Sequence, residues 1–541
     1  MVLVQDLACG LALHRGVIEY SQKVCLARAS MRTAFFLFRM VVVLSLIGIA
    51  QSGHAQQVLW ETYRDAGLQQ YQAGRYPEAE KLLRSALQAA EQLNPGGRRV
   101  AKTLNDLGLL YEAQGKYAEA EPLYTRSLAI MQSIRGADDY ETATVMSNLA
   151  NFYSRFGKND QAEALLKRAL ADTESQLGPN HATTATVLNN LAAVYAELNK
   201  YDDAETLYKR SLAIDEAIYG PSNPEVAVRL SNLGVMYAEQ GRFEEADAVY
   251  RRALPIRQAY LGPNHPETAQ IVNNIGHLQY RQGNYDLAEQ MFKQALTVWE
   301  RAVEPNNSDL GNCVKNLADL YRDIGKYDLA EVDYKRVLSI WEKGLGPNHP
   351  YIAALLQDMA NLCFKQKQYD AVEPLLRRAI TIIENSFGPD RAEMAPPLKA
   401  LGDLKRPEGK SDEAHSYYQR AYSIREKLVA LNPNSRKALN DLAWIQATCP
   451  DDQFRDSKKA YENANQAYKI DGGKGCAGYN TLAAAYAENR AFDLAKEWAN
   501  KALEHAKSAR SKRRIGERLK AYEQRQPFRD EGIELQAQNE F

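Results

Sequence analysis

Between Thr103 and Gly136, apolar and small side chains return at intervals of three and four residues. Leu104, Leu107, Gly108 and Tyr111 make one stripe, and Ala120, Tyr124, Ser127 and Leu128 make a second. Such spacing puts each set on one face of a helix. Gly115-Lys116-Tyr117 lies between the stripes and Gly136 follows the second, which predicts a helix–turn–helix hairpin with stops at both places. Small residues at 108, 120 and 127 let the two helices approach closely while the large ones fill the gaps beside them. Neither helix buries its stripe alone, so the hairpin must stack on neighbours.

The neighbours are present in the sequence. Gly115, Gly157, Asn199, Gly241, Gly283, Gly325, Lys367 and Gly409 stand 42 residues apart without a slip. Gly and Asn tolerate the left-handed backbone of a tight turn. An aromatic follows the turn at Tyr76, Tyr117, Tyr201, Phe243, Tyr285, Tyr327 and Tyr369, and an alanine comes three residues later at 79, 120, 204, 246, 288 and 330. Asn159 and Ser411 break the first column and Val372 breaks the second. Between units runs Gly-Pro-Asn-His, at 178–181, 262–265 and 346–349, with variants at Gly220-Pro221 and Gly388-Pro389. Gly ends one helix, and the following Pro forbids its continuation. Pro224, Pro266 and Pro350 suit the first turn of the next helix, where a missing N–H costs nothing. A fixed period of this length predicts an all-α solenoid.

These columns resemble the tetratricopeptide repeat, in the 42-residue form of the kinesin light chain type; the string from Thr186 to Tyr195 carries the likeness well. The resemblance covers residues 58–430. It implies a right-handed superhelical solenoid of about eleven stacked antiparallel helix pairs. The chain then divides into nine tandem units over 58–430, two variant units over 431–510, and a capping helix and tail over 511–541. Leu442–Asp451, Thr481–Glu488 and Tyr522 with Pro527-Phe528-Arg529 look like a C-terminal module of bacterial tetratricopeptide proteins, read here as a cap.

Arg32 and Arg39 precede an apolar run from Met40 to Ala50, and a G-x-A site ends at Ala55. This predicts a signal peptide over 31–55 and a periplasmic or secreted protein. A membrane anchor is the alternative, but the run is about half the roughly 20 residues a span needs. Residues 1–30 do not read as part of the signal, and Met31 is the expected start. Removing residues 1–55 leaves 62 basic and 66 acidic residues, so nucleic acid is not an expected ligand. Of four remaining cysteines, Cys449 and Cys476 lie in adjacent units and are the candidate pair, against four separate buried thiols.

Chemistry is sparse. No nucleophile elbow, phosphate loop or HExxH occurs, and neither cofactor nor catalysis is expected. His181, His265 and His349 share one context but are 84 residues apart, so they read as turn residues and not as ligands of one ion. Glu119/Glu121, Asp203/Glu205 and Glu244/Glu245 recur with the helix surface and read as a solvated face. The basic stretch from Lys507 to Lys520 reads likewise.

A second ladder is the exception: Asn148, Asn190, Asn232, Asn274 and Asn316, with Asn105, Ser147, Asn189, Ser231 and Asn273 beside it. Asn is a mediocre helix former, so five in register ask for a reason. In the resembled family this position lines the concave groove, and an amide both donates to and accepts from a peptide backbone. The resemblance thus implies a groove of Asn148, Asn190, Asn232, Asn274, Asn316, Asn105, Asn189 and Asn273 that holds an extended segment of a protein partner. An inter-repeat hydrogen-bond ladder is the other reading, and the two are compatible. Lys102 and Lys315 look isolated in an otherwise neutral groove. The expected function is a non-catalytic interaction scaffold; the alternative is a structural part of an envelope or export assembly, acting through its convex face or C-terminal module.

Overall fold

The computed structural model describes residues 53–530 except 73, 135–139, 157, 199, 303–306, 471, 474–475 and 507. Residues 31–52 of the expected signal segment, and Gly157 and Asn199 of the turn ladder, lie outside the described residues. Among the described residues no helix is long and apolar enough to cross a membrane.

The described chain forms 23 α-helices. They are α1 Gly53–Gln72, α2 Tyr76–Leu93, α3 Arg98–Ala113, α4 Tyr117–Ser133, α5 Tyr140–Arg155, α6 Asn159–Gln176, α7 Ala182–Glu197 and α8 Tyr201–Tyr219. Then come α9 Pro224–Glu239, α10 Phe243–Leu261, α11 Pro266–Gln282, α12 Tyr285–Ala302, α13 Ser308–Asp323, α14 Tyr327–Gly344, α15 Pro350–Lys365 and α16 Tyr369–Phe387. The last are α17 Ala395–Lys405, α18 Ser411–Leu431, α19 Arg436–Thr448, α20 Ser457–Ile470, α21 Cys476–Glu488, α22 Phe492–His505 and α23 Ala509–Glu523. Each odd helix packs most heavily on the even helix after it, giving eleven antiparallel pairs and a final lone helix.

The local chemistry accounts for these boundaries. Turn glycines 74, 115, 241, 283, 325 and 409 all have positive φ, between 67° and 86°, and Lys367 adopts the same conformation at 63°. His181, His265 and His349 cap first helices: each Nδ1 accepts the backbone N–H two residues on, at 3.1–3.2 Å. Asn223 and Asn307 do the same job with amide oxygens. These side chains satisfy donors the helix leaves unpaired. Within each hairpin a small residue meets a ring. A Cβ on Gly108, Gly234, Gly276 or Gly402 would come within 2.6–2.8 Å of Tyr124, Tyr250, Phe292 or Tyr418.

First helices of neighbouring units touch one another, as α5 does α7 and α11 does α13. Second helices are instead spanned by long ion pairs 36 residues apart: Arg210–Glu174, Arg336–Glu300, Arg378–Glu342 and Arg420–Glu384, at 2.6–2.9 Å. The stack therefore curves with odd helices on the inner, concave wall and even helices outside.

The curve closes on itself. Tyr117 stacks on Phe387 at 5.5 Å, and Phe156 meets the same ring edge-on at 5.6 Å. The Arg391 guanidinium donates to the Phe156 carbonyl at 3.1 Å and lies over both phenylalanines. His349 and Pro350 pack against the Gly115 turn, where a Cβ would sit 2.8 Å from the imidazole. Burial there, with Arg155 nearby, pushes the His349 pKa down to about 4. A second closure brings α23 onto the end of α11, with Ala509 against the Gly283 turn and Arg510 3.8 Å from Asp323.

The candidate Cys449–Cys476 bridge does not form; both thiols are free. Cys449 follows α19 and packs with Tyr418 and Phe454. Cys476 opens α21 and donates to the Ala502 carbonyl at 3.2 Å.

Candidate functional site

The inner wall is built from odd helices, and the asparagine ladder runs along it in a two-unit rhythm. Asn148 Nδ2 donates to Asn105 Oδ1 at 2.9 Å, Asn232 to Asn189 at 3.0 Å, and Asn316 to Asn273 at 3.0 Å. The intervening rungs differ, because their equivalent partners 43 residues back are Ser147 and Ser231. A serine is too short to reach. Ser147 Oγ is buried without a partner, and Ser231 turns back to the Ala227 carbonyl at 2.8 Å. The Asn190 and Asn274 oxygens accept locally, from Asn189 at 3.5 Å and Gln270 at 3.1 Å. Their Nδ2 groups find no partner among the described residues. All five ladder residues are half-buried, whereas Asn105, Asn189 and Asn273 are buried behind them.

Further along, the wall is not neutral, which corrects the sequence expectation. Lys315 bridges Asp319 and Asp358, at 2.8 Å to each. Arg322 reaches Asp319, Asp323 and Asp358 at 3.0–3.1 Å, and its guanidinium also donates to Tyr334 Oη at 2.8 Å. Tyr280 donates to Asp323 at 2.5 Å. The core of this cluster recurs two units on, where Lys399 pairs with Asp403 at 2.7 Å and Tyr418 donates to Asp403 at 2.8 Å, but Leu442 stands there in place of Asp358. Lys315 keeps 23% of its side-chain surface and Asp319 19%, yet protein surrounds both. Despite burial, the two carboxylates hold the Lys315 ammonium up, and Lys315 and Arg322 hold Asp319 well below the usual carboxylate range. His277, on the same wall, has an exposed side chain, yet desolvation by the protein around it and the nearby Arg281 lower its pKa to about 4. Lys102, the other apparently isolated cation, pairs with Glu141 at 2.5 Å.

Two supposedly solvated groups are also structural. Glu205 accepts from Tyr237 at 2.8 Å and Arg242 at 2.5 Å, both in the next unit. Glu163 takes Tyr195 and Lys200 in the same way, Glu80 takes Tyr111 and Lys116, and Glu121 takes Lys158 at 2.8 Å. The signal was visible as three columns in register, complete at Glu80/Tyr111/Lys116, Glu163/Tyr195/Lys200, Glu205/Tyr237/Arg242 and Glu289/Tyr321/Lys326. On α23, Arg514 and Arg518 are buried, and Arg518 lies over the Trp444 ring at 4.4 Å. That face is packed against the preceding units and is not a free basic surface.

Helix hairpins at constant pitch, with one wall of polar rungs, define a helical-repeat scaffold. Residues 61–133, 141–217, 184–259, 225–301, 312–385 and 351–427 match the sequence profile of the tetratricopeptide repeat. The chain belongs to the tetratricopeptide repeat family. No curated protein matches it. Among solved structures it is similar to BtubC (BKLC) from P. vanneervenii, at 24% identity over 41% of this chain and 89% of that one, with TM-score 0.35. It is similar to a putative kinesin light chain of Podosopora anserina with nearly identical TPR-like repeats, at 19% identity over 38% and 97%, with TM-score 0.32. Yeast Tom70 is similar at 15% identity over 86% and 96%, with TM-score 0.41. These are likenesses of fold alone.

Proposed function

We propose that the chain is a non-catalytic scaffold whose inner wall holds an extended segment of a protein partner. The supporting observation is how the ladder spends its amides. Asn148, Asn232 and Asn316 use Nδ2 on their neighbours and keep Oδ1, while Asn190 and Asn274 use Oδ1 and keep Nδ2. Successive rungs thus offer an acceptor, then a donor, and so on. A peptide backbone carries both complements at every residue, whatever its side chains. Packed helices lie about 8–10 Å apart, and a polyproline-II segment advances about 9 Å in one three-residue turn. One residue in three would then face each rung. The apolar run Met40–Ala50, taken as part of a cleaved signal peptide, would place this capture in the periplasm or outside the cell.

The test compares two double variants against a display library of unstructured peptides. Asn190→Ala/Asn274→Ala is expected to abolish peptide enrichment at unchanged Tm, since those donors tie no repeat. Asn148→Ala/Asn232→Ala is expected to lower Tm, by about 1 kcal/mol of stability for each lost amide pair. Undiminished enrichment by the first variant would reduce the ladder to a tie between units.

A further inference from the structure

The chain carries one extended segment that already lies across first helices. After α23 an exposed stretch, Glu523–Gln526, leads to Phe528, Arg529 and Asp530, which settle against α17, α19 and α21. The Asp530 amide donates to the Thr448 carbonyl at 3.0 Å, and Lys399 Nζ donates to the Asp530 carbonyl at 2.6 Å. The side chains have separate sockets. Asp530 is buried; its carboxylate accepts from Trp444 Nε1 at 2.9 Å and lies 3.5 Å from Lys399. Arg529 pairs with Glu488 at 2.5 Å and also donates to the Ala447 carbonyl at 3.3 Å. Phe528 leans on Trp444, with Arg518 over both rings.

Each charged socket has a second internal partner. Lys399 also holds Asp403 at 2.7 Å, Glu488 also holds Arg455 at 3.1 Å, and Trp444 keeps the Arg518 guanidinium on its face. If the tail leaves, no charge in the wall is stranded, and the groups that lose a partner are neutral: the Trp444 N–H and the Thr448 carbonyl. A segment that only completed a core would strand buried charges, the costliest groups to leave unpaired.

We propose that Lys399, Trp444, Thr448 and Glu488 form an exchangeable recognition site for an extended aromatic–basic–acidic tripeptide, with residues 528–530 as its resident occupant. A partner segment of the same chemistry displaces the tail. The site rests on the reading that first helices form the peptide-binding wall, but it shares no residue with the asparagine ladder. The tail runs from the last unit toward earlier ones, so while seated it also occupies the C-terminal end of that wall.

The experiment uses the full chain with a specific protease site inserted between Arg525 and Gln526, in the exposed stretch. After cleavage of the folded protein, the segment from Gln526 onward is expected to leave on gel filtration at micromolar concentration. A labelled synthetic peptide of residues 524–541 is then expected to rebind the cut body saturably. A peptide carrying D530N should bind at least tenfold more weakly, and unlabelled peptide of native sequence should compete. Retention of the cut segment until the body itself melts would make it an integral cap and overturn the proposal. Equal binding of the native and D530N peptides would overturn it as well. Uncleaved full-length D530N serves as the folding control; with an exchangeable tail its far-ultraviolet spectrum and main melting transition stay as in the unsubstituted chain. Loss of rebinding with intact capture by the asparagine ladder would sink this site alone.

Discussion

Gly115 and Gly325 occupy the same point of the repeat, with φ of 71° and 78°, but their surroundings differ. Around Gly325 a Cβ would meet nothing within 4 Å, whereas at Gly115 it would press on His349 and Pro350 from six units away. Gly325→Ala should therefore cost only the left-handed strain, about 1–2 kcal/mol. Gly115→Ala should cost the same strain and also push apart two turns of the stack. Calorimetric melting of both variants checks this; equal destabilisation would mean that the Gly115 contact carries no energy. Lys367, at φ 63°, shows that the column tolerates a side chain where space is open. At this scale the alternation of Asn with Ser at 105, 147, 189, 231 and 273 stood in the sequence, but its meaning did not. Only the 43-residue reach of each amide tells which rung is tied and which is free.

Between elements, the glutamate clamps set the pitch. Glu205 joins α8 to the end of α9 and to the turn that follows it. Its hydrogen bond with Arg242, helped by Lys209 and Tyr237, lowers its pKa to about 2 against the opposing effect of burial. A depressed carboxylate pKa adds stability that is fully present above about 4.5, the unfolded value, and is lost as pH falls through about 2. Glu205→Gln should lower stability by about 1 kcal/mol at neutral pH, since the site is partly open to solvent screening. The difference between the two proteins should hold steady down to about pH 5 and vanish near pH 2 in melting experiments. A constant gap at all pH values would show that the glutamate acts by packing alone. Sequence reasoning took Glu121 and Glu205 for surface residues because their carboxylate pairs recur with the helix surface in several units. Their partners lie 32 or 37 residues downstream, in another unit, and only reading the columns jointly exposes them.

For the whole molecule, the period makes the hairpin, the turn and the stacking legible, and with them the wall on which the asparagines stand. It leaves no trace of the two closures. Phe156 and Arg391 are 235 residues apart, and although Arg391 takes the capping place that His349 holds one unit earlier, nothing periodic announces their contact. The link of Lys315 and Arg322 to Asp358 is hidden because it joins two units, and Leu442 replaces that Asp where Lys399 and Asp403 repeat the rest. The aromatic junction predicts a long-range effect of a local change. Phe387→Ala removes the ring shared by Tyr117, Phe156 and Arg391, and small-angle scattering should show a larger radius of gyration with helical content unchanged. An unaltered radius would mean that hairpin stacking alone sets the curvature.

The junction also decides how anything could reach the inner wall. An open trough can be approached from the side by a loop in the middle of a folded protein. Once one turn of the coil touches the next, the side entrance is shut and the wall becomes the lining of a passage with two mouths. Under the proposed peptide-binding role, a guest would then arrive end-first, and a chain with a free terminus would load where a closed loop of identical sequence would not. The aromatic buckle would then filter guests by their topology, whatever their sequence.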